Sequence, residues 1–251
     1  MRWSRNHLYV LCALIGWLHL PNNVWASLEN SDLVNAAARG NLSQVKELLS
    51  ASGKNYEIRD KDMALITAAQ NGHENIVKFL LASGANANAK ADKGYTALMF
   101  AAQDDRLGVV QALLTVEADI NATSNNGMTA LMLASQRNRI EMVRLLLATN
   151  ADVNATTNEG ITALMLASQM GNQVVIQYLL RANAEVNSQA KNGVTALMLA
   201  AQNGHQGATM TLLAGGAKIN TEAENGATAL LLARKYDHKG VIDLLQKAGA
   251  K

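Results

Sequence analysis

Apolar and polar positions along this chain repeat on two scales. On the short scale, apolar pairs recur at helical spacing: Val109-Val110 with Leu113-Leu114, Met142-Val143 with Leu146-Leu147, and Val175-Ile176 with Leu179-Leu180. Offsets of three and four residues gather such side chains into one stripe, so each set predicts a short amphipathic helix. Upstream of each helix lies an apolar word that starts one residue after a glycine. The words are Tyr95-Thr96-Ala97-Leu98-Met99, Met128-Thr129-Ala130-Leu131-Met132, Ile161-Thr162-Ala163-Leu164-Met165, Val194-Thr195-Ala196-Leu197-Met198 and Ala227-Thr228-Ala229-Leu230-Leu231. On the long scale the glycines before them, Gly94, Gly127, Gly160, Gly193 and Gly226, stand 33 residues apart. A unit of that length holds two short helices and their turns. It is too small to enclose a core, so successive units must stack to build one.

Turn chemistry follows the same period. The position between the two helices needs a residue that tolerates positive φ, and it is filled by Gly72, Asn138, Gly171 and Gly204, with Asp105 and Asp237 as poorer substitutes. Glu117 stands where other units have Gly84, Asn150, Asn183 or Gly216, and strain is expected there. Asn126-Gly127, Asn192-Gly193 and Asn225-Gly226 suit the tight tips of hairpin-like turns. Both ends carry polar residues on positions that are apolar elsewhere. Gln44 and Glu47 replace the counterparts of Ile76 and Phe79, and Gln246 replaces the counterpart of Leu147. Such residues suit the open end faces of a stack, so the array is expected to be complete within the chain. The first unit departs from the period, with Ser52-Gly53-Lys54-Asn55 lengthening its turn and the segment to Ala64 shortened.

These words resemble the ankyrin repeat, whose pattern is a turn with Gly, a Thr-Pro-Leu-His element, two antiparallel helices and a closing Gly-Ala-Asp-Val-Asn. Ala118-Asp119-Ile120-Asn121 and Ala151-Asp152-Val153-Asn154 match the closing element closely. The resemblance runs through nearly all of the chain after residue 27. It implies an all-α fold, an ankyrin-repeat solenoid of stacked helix-turn-helix units with short β-hairpin-like fingers. The expected division is a leader at 1–26, an N-terminal capping repeat at 27–60, five repeats at 61–93, 94–126, 127–159, 160–192 and 193–225, and a C-terminal capping repeat at 226–251, seven units in all. Two departures from the family pattern have physical readings. Ala64, Ala97, Ala130, Ala163, Ala196 and Ala229 replace the Pro, losing its preset φ but keeping high helix propensity. Met99, Met132, Met165 and Met198 replace the His, and at one-repeat spacing beside a Leu column they are expected to pack in the core rather than hold a metal.

The start of the chain differs in composition from the rest. Arg2 and Arg5 are the only charges before Ser27, and Leu8 to Leu20 is apolar except for Gly16 and His19. This run falls short of the roughly 20 residues a membrane span needs. With Val24-Trp25-Ala26 following, it reads as a secretory signal cleaved between Ala26 and Ser27, and export to the periplasm, or secretion beyond it, is expected. Pro21, Cys12 and all three Trp also lie in this leader. Residues 27–251 therefore have no disulfide framework, thiol nucleophile or cysteine zinc site, and they carry equal numbers of basic and acidic groups. Without a basic stripe, nucleic acid is not an expected partner.

No catalytic constellation emerges from the repeat. His73, His205 and His238 share one repeat position, too far apart to ligate one ion, and are read as structural. Asp104-Asp105 reads as a turn. Asn41, Asn121 and Asn154 head glycosylation-like triplets, the last two arising from an Asn the repeat uses itself. What remains is a surface. The resemblance implies a non-enzymatic, cofactor-free module, favoured as a monomer, that binds a protein in the concave groove, touched by the finger tips and the exposed side of the first helix. That selects Tyr95, Met128, Ile161 and Val194 after the tips, and Gln103, Gln136, Gln169 and Gln202 near the ends of the first helices. Asp104, Arg137, Met170 and Tyr236 stand beside them. Tyr95, Arg137 and Tyr236 are the preferred anchors, because Tyr and Arg dominate binding hot spots. The Gln column has two readings. It is either a row of amides gripping a partner, or good helix formers on a solvated face, which is favoured. An exported enzyme to protect or inhibit, as in an immunity protein, is the expected kind of partner; a host protein bound by a secreted effector is the alternative.

Overall fold

The computed structural model describes residues 31–51 and 56–251, so the leader with its Ala26-Ser27 junction, and the Ser52-Gly53-Lys54-Asn55 turn, lie outside the described residues. Among the described residues fourteen α-helices follow one another and there is no β-strand. They are α1 Asp32–Ala38, α2 Leu42–Ser50, α3 Ile58–Asn71, α4 Glu74–Ala82, α5 Ala97–Gln103, α6 Leu107–Leu114, α7 Ala130–Gln136, α8 Ile140–Ala148, α9 Ala163–Gln169, α10 Gln173–Arg181, α11 Ala196–Gln202, α12 Gln206–Ala214, α13 Ala229–Lys235 and α14 Lys239–Lys247. Each odd-numbered helix pairs with the next. The odd-numbered helices stack in one row from α1 to α13, and even-numbered helices pack beside them. This is the stacked-helix solenoid that the 33-residue period predicts.

Local chemistry sets where each first helix begins and ends. Thr96, Thr129, Thr162, Thr195 and Thr228 are extended residues whose hydroxyls accept a hydrogen bond from the amide three residues on, at 3.2–3.3 Å. This N-cap satisfies a helix-end donor and places Ala at the first helical position. The helices end at left-handed residues, with φ of 60° at Asp105, 56° at Asn138 and 54° at Asp237 beside the glycines at the same position. Glu117 is likewise left-handed, with φ 57°, as its place in the repeat predicts.

Stacking buries the columns read from the sequence. Met99, Met132, Met165 and Met198 are at most 1% exposed, beside Leu98, Leu131, Leu164 and Leu197 at 1–2%. Removing a side chain of this size from water stabilises the fold by about 1.5–3 kcal/mol. Polar ladders hold the register. The residue opening five of the second helices reaches back to a carbonyl at the end of the first helix of the preceding unit. His73 Nε2 lies 3.0 Å from Ala38 O, His205 Nε2 3.0 Å from Gln169 O, and His238 Nε2 2.8 Å from Gln202 O. Arg139 Nε and Asn172 Nδ2 make the same reach to Gln103 and to Ser135 and Gln136. A second ladder runs through Asn88, Asn121, Asn154, Asn187 and Asn220, each accepting an amide of the next unit at 2.7–3.0 Å. Asn121 and Asn154 of the glycosylation-like triplets are thus engaged in the frame.

The structure adds detail to the fingers and to the start of the second unit. The fingers are hairpin-like turns without paired strands among the described residues. Among the described residues a single isolated bridge joins Lys90 and Thr96, and each finger is closed by two amide-to-carbonyl bonds, as from Ser124 to Met128 at 3.0 Å and from Gly127 to Ser124 at 2.9 Å. At the first tip Lys93 and Gly94 are both left-handed, with φ 61° and 78°, whereas at the Asn126-Gly127, Asn192-Gly193 and Asn225-Gly226 tips only the glycine is, as at Gly127 with φ 83°, so these tight turns are not of the type that joins paired strands. Instead fingers bond sideways, Asn158 to Asn126 at 3.0 Å and Lys191 to Glu159 at 3.0 Å. Finally, the expected division at 60 and 61 falls inside α3. No Gly-Thr word interrupts Ile58 to Asn71, so the helix extends backward to Glu57 where other units have a finger.

Candidate protein-binding cleft

The first helices and the fingers leave one apolar cleft of about 260 Å³ on their shared side, centred on α5, α7 and α9. Tyr95, Met128 and Ile161, three successive post-finger residues, form part of its wall, with Leu133 and Leu166 from the helices. Gln103, Gln136 and Arg137 enter from the helix ends, and Asn126, Thr157, Asn158 and Glu159 from the fingers. One repeat of translation separates equivalent residues, so the cleft collects side chains distant in sequence from three units. Six residues singled out from the sequence, Tyr95, Gln103, Met128, Gln136, Arg137 and Ile161, converge here.

The convergence differs from the expected surface in two respects. The post-finger line is buried: Tyr95 is 3% exposed, Ile161 6%, Val194 5% and Met128 9%. The Tyr95 ring packs on Phe100 at 5.4 Å between centroids. Burial also pushes the Tyr95 phenol above its ordinary range, which keeps it neutral. Tyr95 is therefore a wall of the cleft rather than a projecting anchor. The Gln column, expected on a solvated face, is drawn inward as well. Gln103 and Gln169 are buried, while Gln136 and Gln202 are half-buried. The Oε1 atoms of Gln103 and Gln202 are shielded from water and have no hydrogen-bond partner. An orphaned acceptor of this kind costs about 1–3 kcal/mol.

The remaining candidates do not join the cleft. Val194, Gln169 and Gln202 sit beyond it along the stack, Asp104 is half-buried at the end of α5, and Met170 is exposed after α9. Tyr236 stands at the last helix pair, 43% exposed, with Lys235 Nζ 5.4 Å from its ring centre. Asn126, expected only as a turn residue, completes the lining with Leu133, Thr157, Asn158, Glu159 and Leu166, which the sequence did not single out. The period could have found Leu133 and Leu166, which follow the same Thr by four residues. A second groove lies on the even-helix side between α6, α8 and α10, but its Arg144 is tied to Glu141 at 2.6 Å. Among the described residues no group of His, Cys, Asp and Glu is placed to hold a metal ion, and no helix is long and apolar enough to cross a membrane.

The sequence matches the family described as Ankyrin repeats (3 copies) over residues 33–124, 109–190 and 175–251. The chain belongs to the ankyrin-repeat family. No curated protein matches it. Ankyrin repeats are generally non-catalytic scaffolds for protein interaction, so this ankyrin chain is a protein-binding module. Its cleft lies on the finger and first-helix side, where the resemblance places the partner.

Proposed function

We propose that this ankyrin chain is an exported, non-enzymatic module that grips one protein partner on its finger and first-helix side, with the α5–α9 cleft as the centre of contact. The convergence of six repeat-selected residues on one apolar cleft carries the reading. Hot spots cluster in such central desolvated pockets, and Arg137 and Glu159 supply a polar rim. Export rests on the leader, whose Arg2 and Arg5, short apolar run and Ala26-Ser27 junction have the form of a cleaved signal. Protection or inhibition of an exported enzyme is the role that fits such a module, acting as a monomer in the periplasm.

Crosslinking in the native compartment followed by mass spectrometry tests both parts. The expected result is a chain beginning at Ser27 that recovers a specific partner, and loses it when Arg137→Glu and Glu159→Lys are combined. Both substitutions lie on the rim, so the buried Tyr95 is left intact. Equal recovery by the double variant moves the interface to another face. An uncleaved chain confined to the cytoplasm ends the export reading.

A further inference from the structure

We infer that Asn225 is a site of spontaneous deamidation in the folded protein, through attack of the Gly226 amide nitrogen on its side chain. The step needs no enzyme and no partner, so it stands apart from the proposed function. The chain has five Asn-Gly pairs, at 71–72, 126–127, 192–193, 203–204 and 225–226. A glycine after asparagine puts no side chain in the way of ring closure, so by sequence all five are equal candidates. In the reaction the glycine nitrogen loses its proton to solvent base and bonds to the asparagine Cγ. The Cγ–Nδ2 bond breaks, ammonia leaves, and a five-membered succinimide remains. Water then opens either carbonyl of that ring, giving aspartate or isoaspartate, and it is the one co-reactant.

Stacking separates the five pairs. Asn71 and Asn203 stand at the ends of α3 and α11, and their Nδ2 atoms donate back to Thr67 O at 2.9 Å and Leu199 O at 2.8 Å. Those bonds turn each amide away from the glycine that follows. Side chains of the next unit also cover these glycines, since an added Cβ would lie 2.8 Å from Arg106 at Gly72 and 2.6 Å from His238 at Gly204. The three finger tips share their internal bonds, with the Gly127, Gly193 and Gly226 amides each donating three residues back at 2.8–2.9 Å. What differs is the next finger. Asn158 N donates to Asn126 O at 3.0 Å, and Glu224 N donates to Asn192 O at 3.1 Å. Each of those oxygens shares a rigid peptide plane with the following glycine nitrogen, so holding the oxygen keeps the nitrogen from swinging onto the side chain. The covering is close, because an added Cβ at Gly127 or Gly193 would lie 2.8 or 2.9 Å from the same two amides. At Gly226 it would meet nothing within 4 Å. Asn225 and Gly226 are both exposed, and among the described residues no backbone amide donates to Asn225 O. Meanwhile Asn225 Oδ1 accepts the Ala227 amide at 3.0 Å, which lays the side chain forward over Gly226. Asn192 makes the equivalent bond to Val194 at 3.2 Å. The two asparagines are thus a matched pair that differ in whether a further finger holds the peptide.

Incubation of the purified protein at mildly alkaline pH, folded and in guanidinium chloride, tests this, with conversion at each site followed by peptide mapping and electron-transfer mass spectrometry. In the folded protein Asn225 is expected to convert first, to aspartate and isoaspartate, and faster as pH rises. Its lead over Asn192 is expected to be at least about fivefold, the factor given by one hydrogen bond of about 1 kcal/mol. In denaturant the five pairs are expected to convert at similar rates, because the stack that distinguishes them is gone. Equal rates at Asn225 and Asn192 in the folded protein would overturn the proposal, as would an intact Asn225 while another pair converts. A folded protein that stays unconverted throughout the time the denatured chain reacts overturns it too. The same lead of Asn225 in denaturant would trace it to neighbouring residues rather than to the open finger, and would also sink the idea.

Discussion

At the scale of the residue, one backbone angle separates positions that look interchangeable in composition. Glu117 takes φ 57° where the equivalent Gly84 and Gly216 take 87° and 89°. A side chain in the left-handed region costs about 1–2 kcal/mol. Glu117→Gly is therefore expected to stabilise the protein by about 1 kcal/mol, after the loss of unfolded-state entropy is set against the strain. The check is a higher urea midpoint at unchanged slope, with no gain for Glu117→Ala, which keeps the strain. The reverse case is Gly204, with φ 74°, where an added Cβ would lie 2.6 Å from His238 Nδ1. Here both the angle and the reach of the next unit's histidine require glycine. The angle was legible from the repeat pattern. The histidine above it was not, because the sequence showed His205 and His238 as structural without showing which carbonyl each one reaches.

At the scale of the element, the start of each first helix depends on its threonine. Thr162 is 3% exposed, and its hydroxyl accepts the Met165 amide at 3.2 Å. Thr162→Val keeps the shape and removes the acceptor, so a loss of about 1–2 kcal/mol is expected, while Thr162→Ser recovers most of it. Thermal unfolding of the two variants side by side measures the difference. Helix identity and spacing could be read from the sequence because Ala, Leu and Met recur at helical offsets. The finger geometry could not. Its turns are closed locally by two backbone bonds and held sideways by the neighbouring finger, as Lys191 is by Glu159. A pattern within one unit carries no record of a bond made between two.

At the scale of the whole molecule, the contacts are mostly between neighbouring units, and the sequence has no Pro after Pro21. Refolding from denaturant is therefore expected to show no phase of tens of seconds and no acceleration by a prolyl isomerase, followed by far-ultraviolet circular dichroism. A slow isomerase-sensitive phase would contradict this. The sequence by itself determined the repeat, its helix pairs, the left-handed turn positions and the column of core methionines. Each of these is decided within one unit or copied at a fixed offset, so periodicity records it. The tertiary structure alone decided which candidates meet. Translation by one unit brings Tyr95, Met128 and Ile161 into one wall and leaves Val194, Met170 and Tyr236 outside it. It also buried Gln103, whose place on a helix surface suggested solvent, because the exposure of a helix face depends on how closely the next finger and helix approach.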